Sequence, residues 1–150
     1  MGWMEKGKTP DNVVIDLGGF WPKIESGKFF DQYRPPSELP VGTVLDQLRQ
    51  AAARVRHDLQ YWRDLQSAPT LADVEQDTID GMPEKVMLFE RAVYCEAKAE
   101  LLKETQTADR RPDAENVAKT GAETEDKYRE FAADAVSLIV GDDRIHVGVI

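Results

Sequence analysis

The chain has 150 residues, a net charge of −9, 41% apolar residues and 31% charged residues. This composition is typical of one soluble globular domain, and a chain of this length buries roughly 70% of its unfolded surface. The acidic balance excludes sequence-specific nucleic-acid binding, because phosphate contacts need clustered Lys and Arg. No apolar run suits a signal peptide or a membrane span, so we expect a cytoplasmic protein without membrane contact.

The first 40 residues form an irregular segment, rich in aromatic residues and proline. The segment Asn12–Leu17, with its apolar run Val13–Ile15, predicts a short strand that ends at Gly18–Gly19, and a short amphipathic turn follows. Two alternatives stay open for the aromatic side chains. They close over their own bundle, or they dock on another subunit as interface anchors. The candidates are Phe20, Trp21, Phe29 and Phe30.

A long amphipathic helix is predicted from Val41 to about Gln66, where apolar residues recur at steps of three and four. Thr70 is a candidate cap for a short turn over Leu71–Val74. The connector that follows carries only acidic charges. A calcium loop requires glycine at its sixth position, where Thr78 stands here, so we interpret the connector as a solvated acidic turn. Its carboxylates are Asp73, Glu75, Asp77 and Asp80.

The stretch from Pro83 to Lys103 predicts the central helix of the fold. A turn at Asp80–Gly81 precedes it, and proline suits the first turn of a helix. Two adjoining apolar stripes run along it, more than a surface helix buries. Either both pack inside a small bundle, or one faces a neighbouring subunit. The first stripe is Met82, Val86, Phe89, Val93 and Ala97, and the second is Leu88, Ala92, Cys95, Ala99 and Leu102.

The last helix is predicted to follow a polar hinge at Gln106–Pro112, with Asp113 as its N-cap and Gly141 at its C-terminus. We therefore predict a mainly α fold, a small antiparallel bundle of three long helices plus short ones. Residues 1–40 would form an extended arm, residues 41–140 the helical bundle, and residues 141–150 a β-strand tail.

Alternating apolar residues near the C-terminus predict that strand. Either it pairs with Val13–Ile15 of its own chain, or it adds an edge strand to another protein. Strand addition gains affinity from backbone hydrogen bonds and specificity from alternate side chains. The candidate interface residues of the tail are Arg144, Ile145, His146, Val147, Val149 and Ile150.

Signatures of enzymatic chemistry are missing from the sequence. His57 and His146 lie far apart, and neither belongs to a Glu-x-x-His pair, which excludes a di-iron bundle. The chain has no P-loop, no Cys-x-x-Cys and no His-Glu-x-x-His. Cys95 lies on an apolar helical stripe and is interpreted as a core residue. We therefore predict no catalytic, cofactor-binding or metal-binding residues, and an interaction module remains.

Four short motifs suggest a family. They are Leu71–Val74, Ile79–Gly81, Phe89–Val93 and Val147–Ile150. In order and spacing they resemble the head-completion (gpL-like) family of head-tail connectors in contractile-tailed bacteriophages. The resemblance extends from Phe20–Pro22 to the last residue, with two departures. Gly19 replaces one aromatic residue of the family's Phe-rich box, and Val86–Phe89 carries fewer aromatic residues.

This resemblance implies a connector subunit that forms a dodecameric ring beneath the portal, in the neck of the virion. Its partners would be other copies, the portal protein and a tail-side completion or terminator protein, and assembly would take place in the host cytoplasm. Packaged DNA would pass through an acidic lumen that repels its phosphates, with Asp73, Glu75 and Asp77 as lumen candidates. Two other hypotheses stay open: a helical adaptor that binds one cytoplasmic partner, and an enzyme using Cys95 or the carboxylates.

Overall fold

The computed structural model of the chain describes residues 9–108 and 124–141. This part is mainly helical, as predicted, and it carries two small antiparallel strand pairs that the sequence patterns did not predict. In chain order the elements are β1 (Val14–Ile15), β2 (Ile24–Glu25), α1 (Ser26–Tyr33), α2 (Val41–Asp58), α3 (Gln60–Asp64), a 3-10 turn (Leu71–Asp73), β3 (Thr78–Ile79), β4 (Met82–Pro83), α4 (Glu84–Ala108) and α5 (Glu125–Val140).

Helix α4 lies at the centre of the bundle and packs against α1, α2 and α5. Both apolar stripes of α4 are covered within the subunit, which is the first of the two alternatives stated for this helix. The core candidates Phe89 and Val93 are fully buried and Val86 is half-buried, whereas Met82 at the start of the first stripe is 36% exposed. The second stripe therefore offers no open face to a neighbouring subunit.

The N-terminal segment belongs to the same core. Strand β1 pairs with β2, and the ring of Trp21 stacks on Phe89 with 5.0 Å between the centroids. Phe29 stacks on Tyr94 at 5.7 Å, and the Tyr94 hydroxyl donates to the carbonyl oxygen of Glu25 at 3.0 Å. Of the two predictions for the aromatic residues, the structure therefore agrees with the one in which they pack against their own bundle.

One buried lysine joins α4 to the end of α1. Lys98 exposes only 2% of its surface, and its Nζ donates to the carbonyl oxygens of Tyr33 at 2.5 Å and Arg34 at 2.9 Å. Arg34 has a left-handed backbone conformation, with φ 45°, that ends α1. A buried cation is tolerated when it is hydrogen-bonded, and these two carbonyl groups accept from two of the three N–H groups of Lys98.

An ionic network joins the three long helices on a half-buried face. Glu96 of α4 accepts from Arg54 of α2 at 3.1 Å and from Arg129 of α5 at 3.3 Å. Arg129 also forms ion pairs with Glu100 and Glu125. Because one carboxylate of α4 contacts two neighbouring helices, the network fixes the rotation of α4 relative to both.

The predicted turns and helix ends agree with the structure at most positions. Asp80 and Gly81 both have positive φ, and Gly141 ends α5 with φ 76°. The long helix predicted from Val41 to Gln66 is interrupted at Leu59 and continues as α3. Thr70 is the N-cap residue of the 3-10 turn, as predicted, but its side chain caps no backbone N–H, because its hydroxyl donates to the carboxylate of Asp73.

Three predictions lie wholly or partly outside the described residues. They are the Asp113 cap, the first half of the last helix, and the tail strand with its residues Arg144 to Ile150. The hinge predicted at Gln106–Pro112 overlaps the end of α4, which continues to Ala108. Strand β1, one of the two partners considered for the tail, is paired with β2 on one side.

Candidate assembly surface at one end of the bundle

Several elements meet around Lys85, in the first turn of α4. Its Nζ donates to the carbonyl oxygen of Ile139 in α5 at 2.8 Å and lies 5.7 Å from the centre of the Trp62 ring in α3. Its backbone N–H donates to the side-chain oxygen of Gln76 at 2.5 Å, and Gln76 in turn donates to Leu71 O at 2.8 Å. Lys85 therefore holds α3, the acidic connector and the C-terminus of α5 together at one end of the bundle.

This end carries most of the exposed large apolar side chains in the described residues. Eight such side chains are exposed, and six of them lie on α3 and its C-cap residue, on the β3–β4 hairpin and on the last turn of α5. Because these elements meet around Lys85, we interpret their exposed apolar side chains as a candidate interaction surface, whereas single scattered ones are ordinary. We name the six the end-face residues: Tyr61, Leu65, Ile79, Met82, Leu138 and Val140.

The sequence patterns placed Met82 on the core stripe of the central helix and Leu138 on the apolar stripe of the last helix, although Leu138 is 53% exposed, and they missed the other four. Tyr61 lies in α3 and Leu65, four residues later, is its C-cap residue, so the two share one helical face, away from the stripe that continues to Trp62. They are 79% and 67% exposed. The sequence indicated their exposure only in that both are apolar residues outside the predicted stripe. This can be recognised only once the buried face of the helix is known.

The acidic connector lies at the same end. The three lumen candidates Asp73, Glu75 and Asp77 are all exposed, and Asp73 accepts a hydrogen bond from the Thr70 hydroxyl at 2.7 Å. An open cleft of about 560 Å³ adjoins them, lined in part by Trp62, Asp73, Glu75 and Lys85. The surface therefore combines apolar residues with a rim of carboxylates.

The aromatic interface candidates of the N-terminal segment do not reach this surface as exposed groups. Phe20, Trp21 and Phe29 are buried in the core, and Phe30 is half-buried against it. Phe20 lies beneath α3, with the guanidinium carbon of Arg63 4.1 Å from its ring centre and the Trp62 ring centre 6.5 Å away. Phe20 therefore supports α3 from below, and none of the four candidates forms part of the exposed apolar surface.

The surroundings of Cys95 disfavour a role as a catalytic nucleophile. The side chain is fully buried, and burial raises the pKa of its thiol above the ordinary value. A thiol that stays protonated is a poor nucleophile.

In residues 9–108 and 124–141, no three His, Cys, Asp or Glu side chains are grouped to hold a metal ion. Among those same residues, no helix combines the length and apolar character needed to cross a membrane.

Comparison with known proteins gives one match. The model of the family described as phage head completion protein (GPL) matches residues 15–150. No curated protein and no solved structure matches the chain. The family match covers every described element from the second residue of β1 onward, including the whole surface around Lys85. The chain therefore belongs to the phage head completion protein family, whose members are virion components with a structural role in head assembly.

Proposed function

We propose that this chain is a head-to-tail connector subunit. It forms a dodecameric ring beneath the portal in the neck of the virion, seals the packaged head and presents a docking face to a tail-side completion protein. Assembly takes place in the host cytoplasm, and the ring's partners are its own neighbours, the portal protein and the tail-side protein. The family assignment supports the head-assembly role, and the end face supports the finer proposal.

The observation that carries this proposal is the end face itself. A subunit with a closed core has no need of six exposed large apolar side chains on adjoining elements. Exposure of such a surface to water is unfavourable, because burial of apolar surface contributes a favourable free energy of about 25 cal/mol per Å². Contact with neighbouring subunits or with the portal recovers that free energy.

Charge supports the passage of DNA through the ring. The chain has a net charge of −9, and copies of it around a ring sum to a strongly negative assembly. Asp73, Glu75 and Asp77 are exposed on the connector, so a band of carboxylates repeats with each subunit. Phosphates are repelled by such a band, and DNA passes without being bound in one register.

Electron microscopy of the particle neck tests the proposal. We expect density for this chain in a closed ring between the portal and the tail, with the surface around Lys85 buried against a neighbouring subunit or the portal. A chain found elsewhere in the particle, or isolated as a monomer or dimer on a single host protein, would favour the simple adaptor and overturn the connector.

A matched pair of variants gives the same test a biochemical form. Leu65→Ser removes an apolar side chain from the end face, and Ala53→Ser changes an exposed residue in the middle of α2. We expect Leu65→Ser to lower the number of copies per particle and Ala53→Ser to leave it unchanged. Equal copy numbers in the two variants would show that the end face is not an assembly surface.

A further inference from the structure

The register of the β3–β4 hairpin determines which of its backbone groups point outward. Ile79 pairs with Met82 and Thr78 pairs with Pro83, around a two-residue turn in which both residues have positive φ. The N–H of Glu84 donates to the carbonyl oxygen of Asp77 at 3.0 Å. Hydrogen-bonded and non-hydrogen-bonded pairs alternate in an antiparallel ladder, and Pro83 has no N–H. Thr78 and Pro83 are therefore the non-hydrogen-bonded pair, and their backbone groups point away from each other.

The two edges of this hairpin differ. On the β4 edge, Pro83 offers no donor, and the strand runs directly into α4, against which it packs. Proline at an edge blocks the addition of another strand. On the β3 edge, the N–H and the carbonyl group of Thr78 point outward, and Thr78 is exposed. The hairpin therefore has one closed edge and one edge that is able to accept a strand.

Two apolar side chains project from one face of the hairpin. Ile79 and Met82 are a cross-strand pair, so they project from the same face of the hairpin, and they are 46% and 36% exposed. A hairpin of two strands is only marginally stable by itself, and a third strand with an apolar face adds both hydrogen bonds and buried area. The expected occupant is thus a short extended segment with apolar residues at alternate positions.

The chain itself contains such a segment. Residues 145, 147 and 149 are Ile, Val and Val, and the nine residues after Gly141 lie outside the described part of the chain. They follow directly on α5, whose end Lys85 holds beside the start of α4. Fully extended, nine residues reach about 30 Å. That length is sufficient for the tail to reach a neighbouring subunit.

We propose that residues 144–150 of one subunit add as a third strand to the β3 edge of a neighbouring subunit. The strand pairs with the outward backbone groups of Thr78, and its apolar side chains cover Ile79 and Met82. This inference rests on the proposed ring. The tail and the β3 edge are different surfaces, so their pairing is a heterologous contact, the type that closes rings. Its energy comes from backbone hydrogen bonds and alternate side chains.

Disulfide trapping between two different chains tests the pairing. In a Cys95→Ser background, one chain carries Ile79→Cys and a second carries Val147→Cys, and the two are mixed in assembled particles. Side chains on adjacent strands lie close enough for a disulfide. We expect a covalent dimer in the mixture, and no dimer when Ala53→Cys on α2 replaces Ile79→Cys. A disulfide that forms only within one chain carrying both substitutions, or none at all, would overturn the inference.

A second pair of variants tests the backbone contact. Thr78→Pro removes the outward N–H but none of the hydrogen bonds within the hairpin, whereas Thr78→Val keeps that N–H. We expect Thr78→Pro to lower the yield of the Ile79–Val147 cross-link about fivefold or more relative to Thr78→Val. This is the change in an equilibrium constant expected from the loss of one hydrogen bond. Equal yields would show that no strand pairs with β3.

The outcomes separate this inference from the proposed function. A ring seen at the neck without the cross-link leaves the connector intact and removes the strand pairing. The cross-link found in a protein that is not in the neck keeps the pairing and removes the connector.

Discussion

Large apolar side chains have opposite environments in two regions of this subunit. In the middle of the bundle, Trp21, Phe29 and Phe89 are at most 8% exposed and contact other aromatic rings. At the end around Lys85, Tyr61 and Leu65 of α3 are 79% and 67% exposed. Both regions contain amphipathic helices with similar residue types. The difference is that the middle is closed by the chain's own N-terminal segment, whereas nothing in the described residues covers the end.

This contrast assigns different roles to the two regions. Substitutions in the middle are expected to change the free energy of unfolding, because they create cavities or leave buried polar groups unpaired. Substitutions at the end are expected to change assembly and to leave the free energy of unfolding nearly unchanged. Four experiments test that division, from the largest expected effect on stability to the smallest.

Phe89→Ala is expected to lower the free energy of unfolding by about 3–5 kcal/mol, because the ring is fully buried and stacked on Trp21. Urea denaturation followed by circular dichroism measures the loss. A loss below about 1 kcal/mol would place Phe89 at a surface and would contradict the description of the core.

Lys98→Met keeps the length of the buried side chain and removes its charge and its donors. The carbonyl oxygens of Tyr33 and Arg34 then lose a charged partner, and we expect a loss of about 2–3 kcal/mol in the free energy of unfolding. Lys127→Met, at an exposed position of α5, is the matched control and should change stability by less than about 0.5 kcal/mol. Equal losses in the two variants would show that the contacts with α1 contribute little.

Arg129→Met tests the ionic network through its pH dependence. The hydrogen bond from Arg129 lowers the pKa of Glu100, so this pair stabilises the fold above the ordinary glutamate pKa and loses its effect as pH falls through the lowered value. We expect the variant to be less stable by up to about 1 kcal/mol at neutral pH, since the pair is partly exposed. Urea denaturation at neutral and at strongly acidic pH should show the gap to the original protein closing in acid. A gap of the same size at both pH values would contradict the role of Glu100.

The combined variant Tyr61→Ser and Leu65→Ser is expected to change the free energy of unfolding by no more than about 0.5 kcal/mol per residue, because both side chains are exposed. Its expected effect is on assembly: particles should carry fewer copies of the chain. Tyr61→Phe retains the apolar ring and should assemble normally. If the double variant assembles like the original, or unfolds several kcal/mol more easily, the distinction between the two regions fails.

Local patterns in the sequence correctly predicted most elements. The apolar period of α4, the turn at Asp80–Gly81 and the glycine at the end of α5 depend on neighbouring residues along the chain. For the same reason the family motifs were visible in the sequence, and the family match confirms the resemblance that they suggested. The interruption at Leu59 of the helix predicted from Val41 to Gln66 was missed, because the apolar stripe continues unbroken across it.

Tertiary contacts decided which apolar surfaces were left over. The sequence predicted that α4 has two apolar stripes but left open what covers them, and it left the same choice open for the N-terminal aromatic residues. Trp21 reaches Phe89 and Tyr33 reaches Lys98 across long separations in sequence, and no local period encodes such contacts. Once these contacts close the middle of the bundle, the remaining apolar area lies on α3, the hairpin and the end of α5. The residue pattern determines what each helix can bury, and the packing of distant segments determines what stays exposed for a partner.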